Sequence, residues 1–211
     1  YEYANIHRGI YQLSSKLTKR YEDSRFSVGK FINSPSPENI IFTKSATEGI
    51  NLVSSCLSDN YFNDGDEVLL TALEHHANLV PWHLVSKKIK IITAKIKSTG
   101  ELDYYDLLAK INSKTKLIAI THMSNVTGSI TSFEKIKIKA NKFNVPILID
   151  GCQYVPHKKL DIKELDPDFY VFSAHKLYGP SGLGILYMKN KWIDSLGPYQ
   201  GGGSMIKNVE T

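Results

Sequence analysis

Two charged residues at the ends of apolar runs carry the clearest chemistry in this sequence. Lys176 comes shortly after Phe169-Tyr170-Val171-Phe172-Ser173, a β-favouring run, and before the small-residue turn Tyr178-Gly179-Pro180-Ser181-Gly182. An amine held at a strand end, partly shielded from water, gives up its proton more readily and can attack an aldehyde. Asp150 closes the run Pro146-Ile147-Leu148-Ile149-Asp150. A carboxylate there can cap a helix or meet a cation, and it can also keep a pyridine nitrogen protonated, so that the ring draws electrons from a carbanion. Any one lysine among 26 Lys and Arg residues is ordinarily a surface charge. The weight therefore rests on the pairing: an acid after one strand and a lysine after the next is what pyridoxal 5′-phosphate (PLP) chemistry requires.

Three further groups fall at comparable positions. Ser45-Ala46-Thr47-Glu48-Gly49 separates a strand from an amphipathic stretch, so its backbone N–H groups can approach a phosphate at a helix N-terminus. Simple capping by Ser45 or Thr47 explains the same residues. Glu74-His75-His76-Ala77-Asn78 follows another strand, and an imidazole there can stack on a planar ring and move protons near neutral pH. His75, His76 and His83 lack the two-histidine, one-turn spacing of a zinc helix, so no metal is expected. Thr121-His122 closes a third strand.

The elements that must position these residues alternate in type. Apolar residues at 10, 13, 17, 21, 28, 31 and 32 predict a helix over residues 9–32, ended by Pro35 and Pro37. Strands are predicted at 39–43, 67–71, 89–94, 116–121, 146–150, 169–173 and 184–188. Helices are predicted at 46–58, 79–88, 103–111 and 133–143. Such alternation predicts an α/β fold, a mostly parallel sheet with helices on both faces, whose ligands sit beyond the C-terminal ends of the strands.

Composition narrows the function classes. A chain of 211 residues, 42% hydrophobic and 22% charged, suits a single large domain. Its net charge of +5 comes from lysines spread along the chain, which read as solvated helix faces and give little support to nucleic-acid binding. The apolar runs are too short to span a membrane and no signal-peptide pattern opens the chain, so no membrane partner is expected. Cys56 and Cys152 are far apart and predict buried thiols in a reducing, cytoplasmic compartment.

Taken together, Asn5-Ile6-His7-Arg8-Gly9, Ala46-Thr47-Glu48-Gly49-Ile50-Asn51, Glu74-His75-His76-Ala77-Asn78-Leu79-Val80-Pro81-Trp82, His122-Met123-Ser124-Asn125-Val126-Thr127-Gly128, Asp150-Gly151-Cys152-Gln153, Phe172-Ser173-Ala174-His175-Lys176-Leu177-Tyr178-Gly179-Pro180 and Gly201-Gly202-Gly203-Ser204-Met205-Ile206 resemble the Suf-type cysteine desulfurases. These are grouped with selenocysteine lyases in the class V aminotransferase family. The resemblance runs in order over essentially the whole chain. It implies the large domain of PLP fold type I, spanning residues 1–211, with a C-terminal small domain and the extreme N-terminus outside this piece. It also implies that Lys176 forms the Schiff base and that Asp150 salt-bridges the pyridinium nitrogen. Gln153 would hydrogen-bond the phenolic oxygen, while His75 would stack on the ring and assist proton transfer. Thr47, Ser173 and His175, with the Ala46 backbone, would hold the phosphate, and Asn125 would lie near the cofactor and the substrate carboxylate.

The implied reaction takes sulfur from L-cysteine, leaving L-alanine and an enzyme persulfide. A homodimer would pass that sulfur to a Suf-type acceptor or scaffold protein for iron–sulfur cluster assembly. The family's persulfide-forming cysteine and substrate-binding arginine lie beyond the matched region, so this piece by itself is expected to be inactive. Cys152 stands where the family often has a small residue, and Ala174 where relatives often have Gly. A selenocysteine lyase or another class V enzyme would use the same site residues. A non-catalytic PLP-binding scaffold would need none of Lys176, Asp150 and His75.

Overall fold

The structure, a computed structural model, describes residues 2–7 and 9–202. Arg8 and the stretch Gly203-Ser204-Met205-Ile206, both within the resemblance blocks, lie outside the described residues. A seven-stranded sheet forms the frame, in the order β1-β7-β6-β5-β4-β2-β3. Its strands are β1 (Ile40–Thr43), β2 (Glu67–Thr71), β3 (Lys90–Ala94), β4 (Thr115–Thr121), β5 (Ile147–Asp150), β6 (Phe169–Ser173) and β7 (Gly184–Met188). All run parallel except β7, which is antiparallel to both β6 and β1. The α/β, mostly parallel expectation is borne out, and each of the seven predicted strands exists.

Strand β5 reads as an uninterrupted apolar run ending in Asp150, and every residue of β5, β6 and β7 is buried. Burial of successive residues, which point to opposite sides of a sheet, means that both faces are covered. The covering helices include α1 (Gln12–Phe31), α2 (Ala46–Asn60), α4 (Tyr104–Lys110) and α5 (Glu134–Lys142). Helix α2 turns Ile50, Val53 and Leu57 inward, all fully buried, and packs on β1, β6 and β7. Each such side chain contributes on the order of 1.5–3 kcal/mol. Ser45 starts this helix by accepting the Glu48 N–H at 3.1 Å.

One predicted helix is corrected. In place of residues 79–88, only α3 (Val80–His83) forms. The backbone N–H groups that would extend it are captured elsewhere. Ser86 N–H donates to Ser58 Oγ at 3.0 Å, and Lys88 N–H to Asp64 Oδ1 at 2.9 Å. Two short helices, α6 (Ile162–Leu165) and α7 (Asn190–Ser195), follow no periodicity long enough to announce them. None of the described helices is long and apolar enough to cross a membrane.

Candidate active site

The chemistry-bearing segments leave the sheet along one edge, where β2, β4, β5 and β6 end side by side. Register places Thr121 opposite Asp150 and Asp150 opposite Val171, two residues before Ser173. The turn carrying His75 leaves β2, the loop carrying Asn125 leaves β4, and Lys176 stands in a 3-10 turn, Ala174–Leu177, directly after β6. That turn opens the connection to the antiparallel β7, closed by Ala174 N–H donating to Leu183 O at 2.9 Å. As a result His75, Asn125, Asp150, Gln153 and Lys176, residues up to 101 positions apart in sequence, line one cleft. Thr121, Met123 and Cys152 line it with them.

Asp150 is buried and accepts the Cys152 backbone N–H at 3.0 Å. Among the described residues no Lys, Arg or His comes within the 4.0 Å ion-pair distance of its carboxylate. A buried carboxylate without a cation is costly, and it fits a ligand that brings positive charge. The Cys152 thiol sits beside this carboxylate. Burial first, and then the Asp150 charge, pushes the thiol well above the usual thiol range, although Lys176 pulls the other way. Cys152 is thus held protonated and is a poor nucleophile.

His75 is exposed and caps its own turn, its Nδ1 accepting the Ala77 N–H at 3.1 Å. The proton of the neutral ring then resides on Nε2, which is left for exchange with a ligand. At the start of α2, Ala46 N–H donates to Ser173 Oγ at 2.9 Å, joining two of the predicted phosphate-binding positions. Glu48 N–H is taken by Ser45 Oγ and Gly49 N–H by Ser45 O. Thr47 N–H has no acceptor among the described residues, so the first turn of a 15-residue helix offers an unspent donor to an anion. Thr47 and His175 are exposed, and neither lines the cleft. Backbone closeness fixes this corner: a Cβ on Gly184 of β7 would come within 2.3 Å of the Ser45 carbonyl carbon.

Some residues of the site escape a reading of types and spacing. Met123 gains its place from the end of β4, two residues after Thr121, whose position at a strand end the sequence does mark. Glu74, beside His75, gains its contacts from three elements at once. His122 is buried, stacks on Tyr154 with ring centroids 3.5 Å apart, and meets the Tyr170 hydroxyl at 2.9 Å through Nδ1. Strand alternation sends it away from the Thr121 side, and burial pulls its pKa down to about 4. A hollow of about 550 Å³ among the described residues lies on that side between α5 and α6 and holds none of the predicted site residues.

The whole chain, residues 1–211, matches the family model described as aminotransferase class-V. A cysteine desulfurase from Wigglesworthia glossinidia brevipalpis is 46% identical over 212 residues, covering 99% of this chain and 52% of that protein. The apo structure of a cysteine desulfurase from Thermococcus onnurineus NA1 superposes with a TM-score of 0.91 at 36% identity, over 98% of this chain and 52% of that one. The fold extends to a C-DES mutant with glycine covalently linked to its PLP cofactor. That likeness has a TM-score of 0.80 at 22% identity, over 91% of this chain and 51% of that one. The chain thus spans about half the length of the relatives it matches.

Proposed function

This chain belongs to the class-V aminotransferase family, and on that premise we propose that it is the cofactor-binding part of a PLP-dependent cysteine desulfurase. When bound, pyridoxal phosphate supplies an electron-withdrawing ring that stabilises negative charge on a substrate carbon. Lys176 holds the cofactor covalently through its amine. Asp150 keeps a proton on the pyridine nitrogen, and Gln153 donates its amide hydrogen to the phenolic oxygen. His75 covers the ring and exchanges a proton at Nε2. The phosphate rests on the Thr47, Ser173 and His175 side chains, with the Thr47 N–H in place of the expected Ala46 N–H, which Ser173 Oγ already accepts, while Asn125 meets the substrate carboxylate. The substrate is L-cysteine. The subtype is the Suf type, working as a cytoplasmic homodimer that passes sulfur to an acceptor protein for iron–sulfur cluster assembly. Exposed apolar side chains such as Ile10, Tyr11, Phe26 and Phe31 supply surface for a second subunit to cover.

One observation carries the reading: Asp150 is a buried carboxylate without a cationic partner among the described residues, on the same cleft as Lys176. The test adds pyridoxal phosphate to the purified protein and reduces the mixture with borohydride. Mass spectrometry should then find a phosphopyridoxyl group on Lys176, and Lys176→Ala should abolish it. Labelling spread over other lysines, or unchanged in Lys176→Ala, would defeat the assignment.

A further inference from the structure

Glu74 lies beside the cleft, and both of its carboxylate oxygens are engaged by protein donors. Oε1 accepts the Thr71 hydroxyl of β2 at 2.6 Å and the Thr121 N–H of β4 at 3.1 Å. Oε2 accepts the Asn78 side-chain amide at 2.7 Å. Asn78 is buried, and through its own oxygens it receives the indole N–H of Trp82, which is fully buried in the core. Between these anchors sits His75, whose backbone oxygen accepts the Asn78 N–H at 2.8 Å and whose Nδ1 accepts the Ala77 N–H. The histidine turn is therefore closed on itself, and Glu74 is what fastens it to the sheet. The strand it is fastened to matters, because Thr121 lines the cleft and pairs in register with Asp150.

We propose that Glu74 is a positioning residue: it clamps the turn bearing His75 onto the end of β4 and so fixes the imidazole relative to Lys176 and Asp150. This deepens the PLP reading above and rests on it for the part that concerns turnover. The clamp is geometrically economical, since one carboxylate joins β2, β4 and the turn. A shorter or apolar side chain at this position would leave the Thr121 N–H and the Asn78 amide without their acceptor. Glutamine keeps one acceptor oxygen of the same reach, which can still serve Thr71 and Thr121, but its amide nitrogen cannot accept from Asn78, so it preserves two of the three contacts. Burial pushes the Glu74 carboxyl up to about 7.

The experiment compares Glu74→Ala, Glu74→Gln, His75→Ala and the Glu74→Ala/His75→Ala double variant in the full-length protein. Without cofactor, hydrogen exchange of the segments holding Thr121 and residues 75–78 should quicken about tenfold or more in Glu74→Ala and much less in Glu74→Gln. With cofactor, Glu74→Ala should lower kcat for L-cysteine by about tenfold or more while KM moves little, and Glu74→Gln should restore most of the loss. The double variant should be no slower than His75→Ala, because Glu74 acts only through the histidine. Unchanged exchange in Glu74→Ala, or losses that multiply in the double variant, would overturn the proposal. If borohydride fails to fix the cofactor on Lys176 of the unsubstituted protein, the PLP reading falls, while the exchange comparison still decides the clamp.

Discussion

At the scale of single residues, the site is governed by what burial does to charge. Asp150 and Lys176 share a cleft without forming an ion pair, which leaves each able to meet a ligand of complementary chemistry. Cys152 lines the same cleft and could be mistaken for a nucleophile. Its thiol is instead raised by burial and by Asp150, and a thiol that stays protonated reacts slowly. Cys56 is likewise buried and raised, first by burial and then by Asp59. We therefore expect both cysteines of the native protein to resist an alkylating reagent for far longer than an exposed thiol would, and to react at once after denaturation. Intact mass over a time course checks this, and rapid native labelling at Cys152 would show that the thiol is accessible and ionised.

At the scale of elements, positions follow from how strand ends and helix starts meet. Strands β2, β6 and β7 run over the residues expected of them, because short β-favouring runs between turn-formers mark themselves plainly in a sequence. The direction of β7 was not legible, since antiparallel return is a property of the connection after Lys176 and not of the strand's own side chains. Helix α3 was overestimated for a similar reason: Ser58 and Asp64, distant in sequence, capture the N–H groups that local propensity would have given to a helix. Lys176, Asp150 and His75 were legible through residue type at strand ends. Glu74 was not, because three elements must assemble before its contacts exist. Gly184 belongs to that second class. A methyl group there would strike Ser45 backbone atoms at 2.3–2.6 Å, and those atoms cannot swing aside as a flexible side chain would. Gly184→Ala should cost about 1–3 kcal/mol in urea unfolding, and should weaken retention of pyridoxal phosphate by displacing the first turn of α2. An alanine variant with unchanged stability and cofactor retention would mean that this contact is easily relieved.

At the scale of the whole molecule, two enclosed groups push stability in opposite directions with pH. Glu74 rises from an ordinary 4.5 to about 7, chiefly through burial and against three hydrogen-bond donors, with the Asp150 charge adding to the rise. The folded chain thus keeps a proton that the unfolded chain releases. The Glu74 contribution is fully present below pH 4.5 and is lost as pH climbs to about 7. His122 falls from 6.5 to about 4 by burial, so the folded chain refuses a proton that the unfolded chain accepts. Its contribution is present above pH 6.5 and is lost as pH drops toward 4. Glu2, Asp106 and Asp161, lowered mainly by hydrogen bonds from Lys16, Lys110 and Asn33, change charge below the shared window. Between pH 4.5 and 6.5 the two buried groups therefore oppose each other, each with a slope of at most about 1.4 kcal/mol per pH unit. The unsubstituted protein should show nearly level stability across that window in urea unfolding. Glu74→Gln removes the falling term, so its stability should climb with pH. His122→Gln removes the rising term and should decline with pH, below the parent throughout because the Tyr154 stack and Tyr170 contact are weakened. The slope, not the offset, is the readout, and a variant that keeps the parent's slope would show that its residue does not titrate differently on folding.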